Sequence, residues 1–116
     1  MAEVTHTASS GQLMVQGSLV AANDALTMQR FTTLGTVGFQ LTGTWTGTVT
    51  FECTVDGSTW VALQVFPSNS STGATTATAV GAFVLTTNAF QGVRARFSTA
   101  TSGTVVATIV SRPSQF

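Results

Sequence analysis

The clearest pattern in this chain is a strict alternation of apolar and polar residues between positions 48 and 55. Every second residue from position 49 to position 55 is apolar, namely Val49, Phe51, Cys53 and Val55. Threonines and Glu52 fill the positions between them. Because successive side chains of a β-strand point to opposite faces, this segment is predicted to be a strand with one buried face.

The residues after this strand predict a β-hairpin. Asp56-Gly57 follows directly, and both residue types tolerate the positive φ angles of tight turns. Residues 59–66 are then predicted to return as a second strand. Pro67 is predicted to end that strand, because proline cannot donate to a β-ladder.

Short alternations of the same kind recur along the whole chain between turn-forming residues. They predict eight strands, at residues 12–22, 25–34, 35–42, 48–55, 59–66, 78–86, 92–98 and 104–111. Residues 25–34 also fit a short helix, but their threonines favour a strand. Turn signals about every 8–12 residues, without a convincing amphipathic helix, are typical of an antiparallel β-sandwich or jelly roll.

The predicted organisation is a single all-β domain over residues 12–112, between two short terminal segments. A chain of 116 residues is long enough to bury one core. Residues 1–11 are small and polar and predict a flexible arm, or a segment ordered only by a neighbour. Residues 113–116 are predicted to form a short tail.

The chain is poor in charge, which narrows its possible partners. Only 7% of its residues are charged, well below the roughly 25% usual for soluble domains. A neutral surface suits packing against protein, whereas nucleic-acid binding requires clustered positive charge. No segment approaches the ~20 apolar residues of a membrane-spanning helix. The N-terminus has neither the basic start nor the apolar run of a signal peptide, so synthesis in a cytoplasm without export is expected.

The few ionisable residues form no recognisable catalytic or metal-binding pattern. His6 has no Cys, Asp or His close by in the sequence, so a surface role is expected. Cys53 is the only cysteine and is predicted to be a buried, unreactive thiol. Glu52 and Asp56 would lie about 13 Å apart on a strand, beyond the roughly 5–9.5 Å of glycosidase pairs. No enzymatic activity, cofactor or metal is therefore expected.

Arg94 and Arg96 form the most distinctive exposed pair. They are two residues apart on one predicted strand, so their side chains share a face. They could pair with Glu52 across the sheet, or they could bind carboxylates on a partner subunit. The sequence leaves both roles open.

Two tryptophans bracket the predicted hairpin. Trp45 and Trp60 are each expected to be largely buried, because an indole ring removes much apolar area from water. Trp45 is also a candidate glycan contact, since the glycines that flank it in GTWTG could expose its ring.

Two segments resemble the small β-sandwich virion proteins of tailed bacteriophages. They read GTWTGTVTFECTVDGSTWVAL and GVRARFSTATSGTVVATIV, and the likeness covers residues 37–111. The resemblance implies a non-enzymatic capsid decoration, cement or head-fibre protein on the virion surface. Such a protein would bind the major capsid protein, stabilise the head, and form a homo-oligomer, most often a trimer.

The resemblance also leads to candidate contact residues and to alternatives. The interface candidates are Glu3, Val4, His6, Arg94, Arg96, Arg112 and Phe116. One alternative is a tail-associated receptor- or carbohydrate-binding domain that uses Trp45. Another is a tail or adaptor component.

Overall fold

The computed structural model describes residues 4–9, 12–29, 35–87 and 91–113, and these residues form eleven β-strands. The first six strands are β1 (Val4–Ser9), β2 (Gln12–Leu19), β3 (Ala25–Gln29), β4 (Gly35–Thr42), β5 (Trp45–Thr54) and β6 (Val61–Ala62). The other five are β7 (Phe66–Pro67), β8 (Thr76–Ala77), β9 (Gly81–Thr87), β10 (Gly92–Gly103) and β11 (Val105–Pro113). The described residues contain no helix.

The strands form two antiparallel sheets. The six-stranded sheet has the order β1-β2-β11-β4-β9-β7. The five-stranded sheet has the order β3-β10-β5-β6, and β8 also pairs with β5. The prediction of an all-β antiparallel sandwich is confirmed.

The core lies between the two sheets and is built from the inward positions of each strand. Phe39, Leu41 and Ile109 come from the six-stranded sheet, and Phe51 and Phe97 come from the other. All five are at most 2% exposed. The inward positions of β10 and β11 belong to this core, since Val93, Ala95, Phe97, Val105, Ala107 and Ile109 are all buried.

The predicted hairpin is only partly present. β6 pairs with Glu52 and Cys53 of β5, but it is two residues long. The chain then crosses to the other sheet, where β7 pairs with β9. The prediction of one continuous strand over residues 59–66 is therefore wrong, because this segment serves both layers.

Two predictions about the ends of these strands also differ from the structure. Val55 was expected on the buried face, but it is 65% exposed because β5 ends at Thr54. Pro67 does not follow the second strand but lies in β7, at the edge of the six-stranded sheet. An edge position suits proline, since its missing N–H faces no partner strand there.

The N-terminal segment contributes a strand. Val4–Ser9 pair with Gln12–Gly17 of β2 in antiparallel register. These six residues therefore extend the six-stranded sheet rather than forming an arm apart from the domain. At the other end, β11 continues through Arg112 to Pro113, and residues 114–116 of the predicted tail lie outside the described residues.

Candidate functional site

Strands β5 and β10 bring one carboxylate and two guanidinium groups together on the outer face of the five-stranded sheet. Arg94 pairs in register with Glu52, and Arg96 lies two residues further along β10. Arg94 Nε donates to Glu52 Oε1 at 2.6 Å. Arg96 donates to both oxygens of Glu52, from Nε at 3.2 Å and from Nη2 at 3.1 Å. Of the two roles that the sequence left open for the arginines, the structure shows the intramolecular ion pair.

Two further side chains complete this Arg-Glu cluster, which we define as Asn23, Glu52, Trp60, Arg94 and Arg96. Arg96 Nη1 donates to Asn23 Oδ1 at 2.7 Å. The guanidinium carbon of Arg94 lies over the Trp60 ring, 4.4 Å from its centroid. This is the geometry of a cation–π contact. Each arginine is therefore held from two sides.

Two loops position these side chains. Asn23 has a positive φ of 72° in the turn after β2, and Asp24 Oδ2 accepts hydrogen bonds from the N–H groups of Val20 and Ala21 at 3.0 Å. Asn23 and Asp24 therefore lie in a hydrogen-bonded turn between β2 and β3. Asparagine tolerates this left-handed conformation better than most residues.

The loop between β5 and β6 carries Trp60 and is organised by Asp56. Asp56 Oδ1 accepts hydrogen bonds from the N–H groups of Ser58 and Thr59 and from the Thr54 hydroxyl, at 2.7–3.0 Å. These bonds favour the charged carboxylate and hold the pKa of Asp56 well below its usual range. Asp56 thus acts in a turn, as its place before Gly57 predicted.

The electrostatics of the Arg-Glu cluster keep Glu52 ionised. Burial by itself raises the pKa of Glu52, but hydrogen bonds from Arg96 and Arg94, together with their positive charges, outweigh burial and hold it below the usual value. One carboxylate faces two guanidinium groups, so the cluster carries one excess positive charge.

We expect Glu52→Gln to lower the free energy of unfolding at pH 7 by about 2 kcal/mol. This lies between the ~1 kcal/mol of an exposed pair and the ~3–5 kcal/mol of a broken buried pair, because the arginines are partly exposed. Since the pKa of Glu52 is lowered by folding, its contribution is complete above the unfolded pKa and is lost as the pH falls through the folded value. Urea denaturation from pH 7 to pH 3 should show the difference between wild type and variant shrinking below about pH 4.5. A difference that stays constant over this range would contradict an ionic origin.

The opposite surface of the sandwich, the outer face of the six-stranded sheet, has a different chemistry. One row crosses five strands in register and consists of four apolar side chains and one glycine: Met14, Val110, Gly38, Val84 and Phe66. The next row contains Gln16, Thr108, Gln40 and Ala82, and the third contains Ser18, Val106 and Thr42. We call these twelve residues the uncharged face, since none of them carries a charge.

Gly38 forms the floor of a shallow groove in the uncharged face. Its missing side chain leaves a depression of about 250 Å³ between Val84 and Val110, with Gln40 and Thr108 beside it. Val84 is 48% exposed and Phe66 37%. Exposed apolar side chains in a contiguous row are typical of contact surfaces rather than of free protein surface.

The side chains of the remaining predicted site residues lie outside the described part of the structure. Val4 and His6 lie in β1. Arg112 pairs with Thr36 in β11, two residues after Val110, so its position borders the first row of the uncharged face. Glu3 and Phe116 lie outside the described residues. The structure therefore does not test these five residues as contacts.

The two tryptophans have different surroundings, and only Trp45 packs against the core. Trp45 is partly buried and packs edge-on against Phe97, with ring centroids 5.8 Å apart. Trp60 was expected in the core, but it lies partly exposed over Arg94. The prediction for Trp60 is wrong because its loop leaves the sheet before the residue is reached.

The other described side chains offer few reactive or metal-binding groups. Cys53 is 5% exposed, as predicted, and burial raises the pKa of its thiol. Over residues 14–28, 37–85 and 91–111, no three His, Cys, Asp or Glu side chains come close enough to hold a metal ion. The same part of the chain has no helix with the length and hydropathy needed to span a membrane.

Comparison with solved structures identifies a shared fold. A protein derived from the SPBc2 prophage, YomS, superposes with a TM-score of 0.64, over 90% of this chain and 98% of its own, at 9% sequence identity. The chain has the fold of a prophage-derived protein. No protein-family model matches the chain, and no curated protein matches its sequence.

Two other solved structures are more distant. A family 29 carbohydrate-binding module has a TM-score of 0.48 and 10% identity, over 96% of this chain and 75% of its own. A protein of the disulfide-linked pili on Bacillus endospores has a TM-score of 0.41 and 18% identity, over 97% of this chain and 92% of its own. Likenesses at this level carry no argument about function.

Proposed function

We propose that this protein is a non-enzymatic structural protein of a bacteriophage virion, which binds and stabilises the head as a decoration protein. Its partner is the major capsid protein, and its place is the outer surface of the capsid after synthesis in the host cytoplasm. The fold shared with a prophage-derived protein is in keeping with a phage origin.

The observation that carries this proposal is the uncharged face. Each of its twelve positions takes up about 4.8 Å across the strands and about 6.6 Å along a strand, which gives a footprint of roughly 400 Å². A standard interface takes about 800 Å² from each partner, so the face by itself is the size of one weak contact. Val84 and Phe66, which are exposed, and Met14 and Val110, which are partly exposed, supply apolar area for it.

The same face defines the chemistry of its partner. A charged side chain of the partner would lose its water in this contact without meeting an opposite charge. The proposed contact region of the capsid protein is therefore made of aliphatic, hydroxyl and amide side chains. Gln and Thr side chains of the capsid protein would form hydrogen bonds with polar side chains in the second row of the uncharged face, such as Gln16, Thr108 and Gln40.

Assembly as a homo-oligomer, with a trimer favoured, would place several copies of this face on neighbouring capsid subunits. Linked contacts strengthen one another, because the second binding event becomes intramolecular. Weak single contacts could then stabilise the shell.

The proposal is tested with purified capsids that lack the protein. We expect the wild type to co-sediment with them and Val84→Glu to bind at least tenfold more weakly, since its carboxylate would be buried without a partner (about 1.4 kcal/mol per factor of ten). Val55→Glu is the matched control, since Val55 is 65% exposed in the loop after β5 and lies off this face. Thermal unfolding checks that both variants are folded.

Two outcomes would overturn the proposal. Equal binding of Val84→Glu and wild type would exclude the uncharged face as the docking surface. Electron microscopy of intact particles that places the protein on the tail would instead support a tail or adaptor component.

A further inference from the structure

Within the Arg-Glu cluster, the two arginines have different numbers of partners. Arg96 uses Nε, Nη1 and Nη2 in hydrogen bonds to Glu52 and Asn23. Arg94 uses only Nε, and no described residue accepts a hydrogen bond from its two terminal amino groups. Among the described residues, the two terminal amino groups of Arg94 therefore have no acceptor, and such a parallel pair of donors can bind a carboxylate in a bidentate manner.

Arg94 is also held in place before any ligand arrives. Glu52 holds its Nε at 2.6 Å, and the Trp60 ring supports the guanidinium group at 4.4 Å. A long side chain loses conformational freedom when it binds, so this support lowers the cost of binding. Its side chain is still 23% exposed, so a ligand can reach it.

The charge around Arg94 favours an anion. Glu52 neutralises only one of the two arginines. The two other described carboxylates, those of Asp24 and Asp56, accept hydrogen bonds from N–H groups of their own loops and bond neither arginine. The local charge is one positive unit.

Trp60 adds a second kind of recognition. One face of the Trp60 ring is covered by Arg94, so a pyranose sugar would place its C–H face against the other face or the edge of the ring, while a neighbouring polar group fixes its orientation. We propose that Arg94 and Trp60 form a binding site for a sugar acid, in which Arg94 binds the carboxylate of a hexuronate and Trp60 contacts its ring. Arg96 and Glu52 are positioning residues for this site.

The position of the site defines where its ligand comes from. The Arg-Glu cluster and the uncharged face lie on opposite outer surfaces of the sandwich. A protein docked through the uncharged face would keep Arg94 and Trp60 directed away from the capsid, toward carboxylated polysaccharide in the surroundings. Sugar binding itself does not depend on that docking.

The test is an NMR titration of the isolated full-length protein with sodium glucuronate. We expect saturable shifts of the Trp60 indole N–H and the Arg94 Nε–H signals at millimolar ligand, while the Trp45 indole N–H stays unchanged as an internal control. Methyl glucoside tests the sugar ring without the carboxylate, and sodium acetate tests the carboxylate without the ring. Both should bind at least tenfold more weakly than glucuronate.

Two variants separate recognition from folding. Arg94→Lys keeps the charge that pairs with Glu52 but loses the parallel donors, so glucuronate should bind about tenfold more weakly to a folded protein. Trp60→Leu should lose the preference for glucuronate over acetate. Equal shifts with methyl glucoside or acetate, or no shift with glucuronate, would overturn the proposal. The docking proposal would still stand, since it uses the opposite surface.

Discussion

Replacing Phe51 by alanine is expected to lower the free energy of unfolding by about 4 kcal/mol, which corresponds to a fall in Tm of roughly 15 °C. Phe51 is fully buried in β5 and packs against a ring from each of two strands of the other sheet. The centroids of Phe39 and Phe83 each lie 5.0 Å from that of Phe51. The variant would lose these contacts between the layers and leave a cavity in the centre of the core.

Phe66→Ala is the matched control for this experiment. Phe66 is 37% exposed on β7, at the edge of the six-stranded sheet, so the same truncation should cost less than about 1 kcal/mol. Urea denaturation followed by fluorescence measures both variants. Equal losses for Phe51→Ala and Phe66→Ala would contradict the assignment of Phe51 to the centre of the core.

Gly47→Ala is expected to cost about 3 kcal/mol, although it adds only one methyl group. Gly47 has a φ of 146°, in a conformation that residues with a side chain rarely adopt. A Cβ atom there would overlap the carbonyl oxygen of Thr99 and lie 2.8 Å from a ring carbon of Phe97. The register of β5 and β10 is irregular on either side of this point, between Phe97 and Thr99 and between Ala100 and Ser102.

Gly38→Ala provides the control for a glycine that needs no special conformation. A Cβ atom on Gly38 would have its nearest neighbour, the carbonyl oxygen of Phe83, at 3.9 Å. This variant should differ from wild type by less than about 0.5 kcal/mol. Thermal unfolding of the two glycine variants side by side is the measurement, and a stable Gly47→Ala protein would show that β5 can pair with β10 without the irregularity.

The alternation of residues was enough to predict most of the strands and their buried faces. In β10, Val93, Ala95 and Phe97 are buried, as the pattern indicated. Alternation does not report where a strand changes its partner. Residues 59–66 read as one strand, yet they pair first with β5 and then with β9, because the partner of a segment depends on distant residues.

The candidate sites were less accessible to sequence reasoning. The pairing of Glu52 with the two arginines could be proposed, because few charges exist to pair. The roles of Asn23 and Trp60 could not, because they lie 71 and 34 positions from Arg94 and come from two separate loops. The uncharged face was also missed, since its rows arise only when five strands are placed in register.

Local periodicity and composition, read from the sequence, determined the all-β class, the inward side chains of most strands and the scarcity of charge. These properties depend on the backbone geometry of a strand and on residue counts, both of which are local. The order of strands in each sheet, the different partners of Arg94 and Arg96, and the separation of the two surfaces were decided only by the tertiary structure. They depend on contacts between residues far apart in the chain, such as Arg96 with Asn23 and Gly38 with Val110, which no local pattern records.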